Sequence, residues 1–349
     1  MCVNNKKTIH QFRKFGVRVA ASALFYSGAL NLLRPGRYPG LASEGESRRL
    51  YSPFMVLLYH RVNPDNDPFS PALSVKTFDA QMSYLAANFQ VLSLTEIINR
   101  IRQGLGINPG TIAVTFDDGY RDNYVYAHPI LNKYNCPATI FTATSYIGTD
   151  KLMWNDKLAL AIKWSTQKRI TIPGSTNSIS LVSVPEKIAA LERILETLKI
   201  LTEPDKLTLV EEIFKRLYNK QCKSEPLMLS WNELKKMAYE GWEVGSHTAN
   251  HVILTRIPLY EAKEEIRSSG SILEQELGRP IRLFAYPNGK PGDYDLSIKK
   301  FLSDAGYIGA LTTVDRLNAH DVDLFEIGRK SPWEKFIPNF ALSLARSWC

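Results

Sequence analysis

The sequence is poor in cysteine, and the few cysteines it has lie far apart. There are four, Cys2, Cys136, Cys222 and Cys349, and no two of them form a Cys-x-x-Cys pair. This spacing excludes a disulfide framework and a thiolate metal site. It also fits a protein of a reducing compartment.

Acidic residues are missing from the first 37 positions, and much of the net charge of +8 comes from this segment. Such an excess of positive charge favours contact with an anionic surface, for example membrane headgroups or an acidic polymer. The basic residues are not interleaved with aromatic residues, so the sequence does not favour nucleic acid as a partner. They are Lys6, Lys7, Arg13, Lys14, Arg18, Arg34 and Arg37.

The N-terminal segment lacks an uncharged run long enough to cross a membrane. Val19–Leu33 has 15 residues, whereas a spanning helix needs about 20. No small-x-small cleavage site follows it, although its basic flank resembles that of an export signal. We therefore expect residues 1–50 to form a basic, amphipathic segment, peripheral at the inner face of a membrane, in a cytoplasmic protein. An export signal and a simple packing helix stay open as alternatives.

Apolar runs of strand length alternate with helical patterns through most of the chain. Phe54–Tyr59 and Ile112–Phe116 are typical of buried strands, and Phe78–Asn88 has the spacing of a helix. This alternation predicts an α/β fold with a parallel sheet or barrel and helices outside it. A short hairpin and two amphipathic helices break the pattern and predict a helical insertion at about 154–226. We expect one main domain over 51–335 and a C-terminal tail over 336–349.

Two adjacent carboxylates, Asp117 and Asp118, follow a predicted strand in the run Thr-Phe-Asp-Asp-Gly-Tyr. They repel one another, and burying either of them unpaired is costly. A cation shared with His247 and His251 would remove that cost. One carboxylate and two imidazoles suit a divalent metal with open positions for water, and the second carboxylate can act as a base on that water. The simpler interpretation is a turn in which the aspartates cap the next helix.

Polar groups follow several other predicted strands. His60 ends the first one, His247 follows a later one, and the loop Tyr286–Gly289 follows another. In a (β/α) barrel the carboxyl ends of the strands lie on one face, where the chemistry takes place. We therefore expect these residues to meet the two aspartates in one pocket.

The Thr-Phe-Asp-Asp-Gly-Tyr and His-Thr-x-x-His motifs resemble those of the polysaccharide deacetylase (NodB-homology) family, carbohydrate esterase family 4. The resemblance runs from about Phe54 to about Arg329. It implies a distorted (β/α) barrel of about seven strands. It also implies a metal-dependent hydrolase, with zinc as the expected ion, that removes N-acetyl groups from amino sugars. The main domain would then be the deacetylase domain.

The resemblance assigns roles to individual residues. Asp117 corresponds to the general base, and Asp118, His247 and His251 correspond to the metal ligands. The implied partner is an acetylated amino-sugar polymer, and a lipid-linked glycan at the cytoplasmic face would fit the basic N-terminal segment. Substrate contacts are implied for Tyr120, Tyr286, Pro287, Asn288 and Gly289.

Two features depart from the family pattern. The late Leu-x-His that supplies a general acid is missing, and Leu58-Tyr59-His60 carries that pattern instead, which is similar to the circularly permuted members that act on poly-N-acetylglucosamine. His60 is therefore the candidate acid, with His320 as a rival and a strand-end histidine bonded to a loop as the structural alternative. Ala285 replaces the loop arginine that orients the base, and Arg329 or Arg282 can substitute for it.

Two other functions fit the same residues. A metal amidohydrolase acting on a small non-sugar amide would use the same barrel and ligands. Loss of the loop arginine also suits a catalytically silent carbohydrate-binding protein of a polysaccharide assembly system. Retention of all four metal-site side chains favours an enzyme. Trp154 and Trp333 are the tryptophans best placed to stack on a sugar ring, although packing is the commoner role.

Overall fold

The computed structural model describes residues 16–30, 52–172, 176–218 and 226–348 of the chain. Seven parallel strands form one sheet that curls into an incomplete barrel, with helices packed around it. This confirms the predicted distorted (β/α) barrel. The strands are β1 (Phe54–Tyr59), β2 (Gln90–Val91), β3 (Thr111–Phe116), β4 (Ala138–Thr142), β5 (Arg169–Thr171), β6 (Ser178–Ser180), β7 (Glu243–Ser246), β8 (Leu283–Ala285) and β9 (Gly309–Leu311).

The order of strands in the barrel sheet is β1-β3-β4-β7-β8-β9, and β2 pairs with β3. Strands β1 and β3 are buried along their whole length, as expected for apolar runs covered on both faces. A short segment then lies between the two ends of the sheet. Ile327 pairs with Leu311 of β9, and Lys330 pairs with Leu57 of β1. The carboxyl ends of the strands are thereby brought to one face.

Helices surround the sheet, and several begin at a side chain that accepts a backbone hydrogen bond. Ser74, Ser93 and Ser230 cap their helices in this way. The predicted helix after Pro258 ends at Gly278, which has a φ of 65°. The helices are α1 (16–26), α2 (Val75–Asn88), α3 (Leu94–Arg102), α4 (His128–Lys133), α5 (Trp154–Trp164), α6 (Val184–Lys199), α7 (Glu203–Leu217), α8 (Trp231–Tyr239), α9 (Leu259–Leu277), α10 (Leu296–Asp304) and α11 (Ile337–Trp348).

The predicted insertion contains helices α5 to α7 and the antiparallel hairpin of β5 and β6. Its apolar residues form a cluster of their own, with Leu158, Ile194 and Val210 at its centre. Helix α6 begins with a capping box formed by Ser183 and Glu186. The insertion therefore has a separate small core beside the barrel.

Both terminal segments contain helices that pack on the barrel. In the first, Ala21 and Leu30 are buried and Phe25 contacts the ring of Tyr84. This matches the packing-helix alternative for residues 16–30; residues 1–15 and 31–51 lie outside the described residues. In the last, the predicted tail contains α11, whose Phe340 is fully buried. None of the described helices is long and apolar enough to span a membrane. Membrane contact, cytoplasmic location and the domain boundaries stay predictions.

Candidate active site

Asp117 and Asp118 lie at the carboxyl end of β3, and both are buried. The Asp117 N–H extends the sheet by donating to the Tyr59 carbonyl at 3.1 Å. The chain then turns sharply, with φ values of 77° at Asp118 and 88° at Gly119. A Cβ at Gly119 would lie 2.8 Å from Ile147 Cδ1, so the turn requires glycine. This turn accounts for the Asp-Asp-Gly order of the motif.

Two histidines from the loop after β7 approach the second aspartate. His247 Nε2 lies 3.5 Å, and His251 Nε2 lies 3.3 Å, from Asp118 Oδ1. His247 Nδ1 is 2.7 Å from the Ala285 carbonyl. This contact orients the imidazole so that its other nitrogen faces the carboxylate.

These three side chains form a donor set suited to a divalent cation. One ligand atom from each lies within 4.8 Å of the other two. Asp118 Oδ1 is buried and receives no hydrogen bond from the described residues. A buried carboxylate oxygen without a donor is costly, and a metal ion would satisfy it. Two imidazoles and one carboxylate are also the donor set of several catalytic zinc sites.

The charges of this cluster shift the pKa of each member. Burial alone would raise the pKa of Asp118, but the two imidazoles outweigh it and hold the pKa well below its ordinary value. Burial lowers the pKa of His251, and Asp118 only partly opposes this. Burial would also lower the pKa of His247, but Asp117 and Asp118 raise it. The cluster therefore offers an ionised carboxylate and, at His251, the neutral imidazole that metals bind.

Arg329 holds the first aspartate in a bidentate ion pair. Its Nη1 and Nη2 each lie 2.7 Å from one oxygen of Asp117. The guanidinium is itself buried, and its Nε donates to the Thr312 carbonyl at 2.8 Å. Burial would raise the pKa of Asp117, but Arg329 and His247 outweigh it and lower the pKa. The other candidate, Arg282, is exposed just before β8.

His60 follows β1 and is half-buried beside the two aspartates. Its charge contributes to the lowered pKa of both Asp117 and Asp118. Asn123 Nδ2 donates to the His60 carbonyl at 2.8 Å. The adjacent Arg61 pairs with the buried carboxylate of Asp122, which lies between β3 and α4, at 2.8 Å. Both contacts fix the end of β1 that carries the imidazole.

One pocket, the central pocket, is lined by the two aspartates and by His60, His247 and His251. Its volume is about 380 Å³. The rival histidine, His320, is exposed and is not among the described residues that line it. The sequence prediction that these strand ends meet is therefore matched by the geometry. The lining residues are Leu58, His60, Asp117, Asp118, Trp154, Asn155, Leu195, Lys199, His247, His251, Ile253, Asn288, Lys290, Thr313 and Ser331.

Comparison with known proteins agrees with the motifs. Residues 106–310, more than half of the chain, match the sequence model of a family described as polysaccharide deacetylase. The chain belongs to the polysaccharide deacetylase family. A relative named as a polysaccharide deacetylase, YxkH of Bacillus subtilis strain 168, is 37% identical over 94 residues. That match spans 27% of this chain and 33% of the relative, so it covers about a third of the relative's length.

Solved structures share the fold of this chain. The Streptococcus pyogenes deacetylase PplD, in complex with acetate, has a TM-score of 0.56 at 17% identity and covers 86% of this chain and 99% of its own. IcaB from Ammonifex degensii has a TM-score of 0.54 at 20% identity, and the match covers 85% of this chain and 97% of IcaB. At such identities the likeness concerns the fold alone.

Most of the predicted substrate contacts do not line the central pocket. Only Asn288 does so. The Tyr286 ring is buried, stacks on a neighbouring tyrosine and donates to the Phe325 carbonyl at 3.0 Å. Tyr120 is also buried, and its hydroxyl lies 3.2 Å from the carboxylate of Asp156. These side chains support the walls of the site, and their contact with substrate stays a prediction.

The other two predicted contacts, Pro287 and Gly289, shape the loop that carries Asn288. Gly289 has a φ of 62°, and a Cβ there would lie 3.0 Å from the backbone nitrogen of Thr313. Pro287 is buried. Both residues act through the backbone, and neither is among the described residues that line the central pocket.

Sequence reasoning missed several residues that complete the site. Leu195 and Lys199 reach the central pocket from α6 of the insertion. Glu265 of α9 accepts hydrogen bonds from the N–H groups of Ala249 and Asn250, at 2.9 and 2.8 Å, and so holds the loop between the histidines. Amphipathic spacing indicated these helices but could not show which face meets the pocket.

Proposed function

We propose that this chain hydrolyses the N-acetyl group of an amino-sugar residue in a polysaccharide or lipid-linked glycan, with a divalent metal, zinc being the expected ion. The observation that carries the proposal is the convergence of Asp118, His247 and His251. Beside them lie His60 and the Asp117 carboxylate, which is paired with Arg329. Asp118 Oδ1 is buried and lacks a protein donor in the described part of the chain. Family membership supports deacetylation as the reaction.

The roles of the chain's own groups follow from their positions. A metal bound to the three ligands would supply Lewis acidity, which would lower the pKa of bound water towards ~7. Asp117 takes the proton of the attacking water as the new carbon–oxygen bond forms. The Arg329 guanidinium keeps Asp117 ionised and directs its oxygens, because both nitrogens bind it at 2.7 Å. The base is thereby held ready before substrate enters.

His60 completes the reaction by giving a proton to the departing nitrogen. Breaking the carbon–nitrogen bond without that proton would release a strongly basic amide anion. The products are acetate and the free amine of the sugar. His60 lies beside both aspartates, and its backbone is fixed by Asn123, so its position suits a proton donor.

Metal analysis of the purified protein, together with acetate release from N-acetylglucosamine oligomers, tests the proposal. We expect about one metal per chain and acetate release that chelation abolishes. Hydrolysis of small cyclic amides without acetate release from the oligomers would favour the amidohydrolase alternative. Oligomer binding without acetate release would favour the silent carbohydrate-binding protein.

Replacing Asp118 with alanine should remove metal as well as activity. Asp118 is the single carboxylate of the ligand set, and its loss leaves two imidazoles. Measured metal content should fall at least tenfold, in the range of about 10–100-fold typical of altered metal sites. Asp150→Ala, at an exposed position outside the central pocket, serves as the control and should keep its metal. Full metal content in Asp118→Ala would contradict the ligand assignment.

Replacing His60 with glutamine should lower the rate on an amide far more than on an activated ester. Loss of a general acid typically costs about 10²–10⁴-fold. An aryl acetate has a leaving group that departs without a proton, so its hydrolysis should change less than about tenfold in the same variant. His320→Gln is the control, and both substrates should keep near wild-type rates. Equal losses on the two substrates would remove the acid role from His60.

A further inference from the structure

A second cleft adjoins the central pocket, and we propose that it binds the part of the glycan that has already been deacetylated. We call it the side cleft; its volume is about 660 Å³. The inference rests on the proposed function, because the ligand is the product of that reaction. The lining residues used below are Tyr146, Trp154, Leu207, Glu261 and Glu264.

The side cleft adjoins the central pocket at one shared residue. Trp154 lines both of them. Tyr146 follows β4, at the same face of the barrel as the catalytic aspartates, and lines the side cleft. The opposite walls come from α7 of the insertion and from α9. A linear glycan whose reacting residue occupies the central pocket can therefore extend into the side cleft.

The surface of this cleft suits a sugar chain. The Tyr146 side chain is half-buried at the cleft, Trp154 is 7% exposed with Lys206 Nζ 4.8 Å from its ring centre, and Leu207 is 50% exposed beside them. Aromatic rings pack against the apolar faces of sugar rings and leave the sugar hydroxyls free for water or polar neighbours. Of the two tryptophans singled out from the sequence, Trp154 is the one at this junction, whereas Trp333 lines a different cavity beside β1.

The charge of the side cleft suits an amino sugar without its acetyl group. Its described lining contains four glutamates and no lysine or arginine. Glu203 and Glu265 are already bonded, to Lys206 and to backbone N–H groups. Glu261 and Glu264 are exposed on α9, where Glu264 has one exposed ion pair, with Arg267. These two carboxylates are open to a further cation.

Deacetylation changes the charge of the sugar from neutral to positive. The amide nitrogen carries no charge, whereas the free amine takes up a proton near neutral pH. Besides the two catalytic-site aspartates, the central pocket is lined by Lys290 and by Lys199, which is paired with Glu196, and these two lysines disfavour a second cation there. The glutamates of the side cleft attract it. We therefore expect a bound glycan to place its deacetylated sugar residues in the side cleft while an acetylated sugar residue lies in the central pocket.

The test compares two N-acetylglucosamine pentamers, one fully acetylated and one carrying free amines at one end. We expect the wild-type protein to have a kcat/KM about three- to tenfold higher on the partly deacetylated pentamer, as befits two exposed ionic contacts. Glu261→Gln/Glu264→Gln should lose this preference and keep its rate on the fully acetylated pentamer within about twofold. High salt should weaken the wild-type preference, because it screens these contacts.

A matched control removes the same charge elsewhere. Glu192→Gln/Glu276→Gln alters exposed or partly exposed positions on α6 and α9 that are not among the lining residues of either cavity, and it should keep the preference. Absence of a preference in wild type, or its survival in the Glu261/Glu264 variant, would overturn the inference. Calorimetry with a glucosamine pentamer provides a readout independent of activity, and its Kd should rise about three- to tenfold in that variant. If neither of the two pentamers that carry acetyl groups releases acetate, the proposed function fails. The calorimetric result still decides whether the side cleft binds the deacetylated glycan.

Discussion

Asp117→Asn should lower kcat for acetate release from an N-acetylglucosamine oligomer by about 10² or more while leaving the metal content unchanged. Asparagine keeps the size of the side chain but cannot accept a proton from water. The metal ligands are separate residues, since the donor set consists of Asp118, His247 and His251. Activity and metal binding should therefore separate in this variant, whereas they fall together in Asp118→Ala.

The effect of Asp117→Asn on the rate must be separated from its effect on folding, because Asp117 is paired with the buried Arg329. Arg329 donates to both oxygens of Asp117, and asparagine offers only one acceptor in their place. Thermal unfolding should therefore accompany the assay, so that a rate measured on folded protein is compared. Asp321→Asn, in an exposed turn, is the control and should keep both its rate and its metal. Turnover near the wild-type level in folded Asp117→Asn would show that another group accepts the proton.

Local sequence was sufficient to predict the strands that carry the chemistry. The run before His60 is apolar over six residues, and the run before Asp117 is apolar apart from Thr111 and Thr115. Both are buried over their entire length, so their pattern left little alternative to a strand. Once the strands are parallel, their carboxyl ends must lie on one face. The meeting of the aspartates with His247 follows from that topology.

The identity of the base-orienting arginine could not be predicted in the same way. Arg282 and Arg329 both lie close to predicted strands in the sequence. The choice between them depends on the short segment that joins β9 to β1, since this segment carries Arg329 to the carboxyl face. Arg282 precedes its strand and therefore lies towards the opposite end. Such a choice rests on closure of the sheet, which depends on residues far apart in the chain.

The sequence pattern also could not predict which way the side chains point in the loop after β8. Tyr286 directly follows the strand, and its ring stacks on Tyr294 at 4.2 Å between ring centres. A tyrosine in such a loop can equally face substrate or core, because its ring is apolar and its hydroxyl needs only one partner. Here the partner is the Phe325 carbonyl. The insertion presents the same difficulty, since its contacts with the pocket depend on how its own core sits against the barrel.

Arg329→Met should destabilise the metal-free protein by about 3–5 kcal/mol, the usual cost of removing one partner from a buried ion pair. The Asp117 carboxylate is 2% exposed and would be left without its cation. Arg282→Met is the matched control, because it makes the same change at an exposed position, and it should alter the free energy of unfolding by less than about 0.5 kcal/mol. Denaturant unfolding of the three proteins measures the difference.

The pH dependence of that difference tests its electrostatic origin. The native pKa of Asp117 is lowered, because Arg329 and His247 outweigh the effect of burial. The stability gained from the pair is therefore fully present above the unfolded carboxylate pKa of about 3.9, and it is lost as pH falls towards the lower native value. The gap between wild type and Arg329→Met should narrow in that acidic window, and Asp117→Asn/Arg329→Met should recover part of the loss at neutral pH. A gap that is constant with pH, and equally large in the double variant, would mean that Arg329 acts through packing alone.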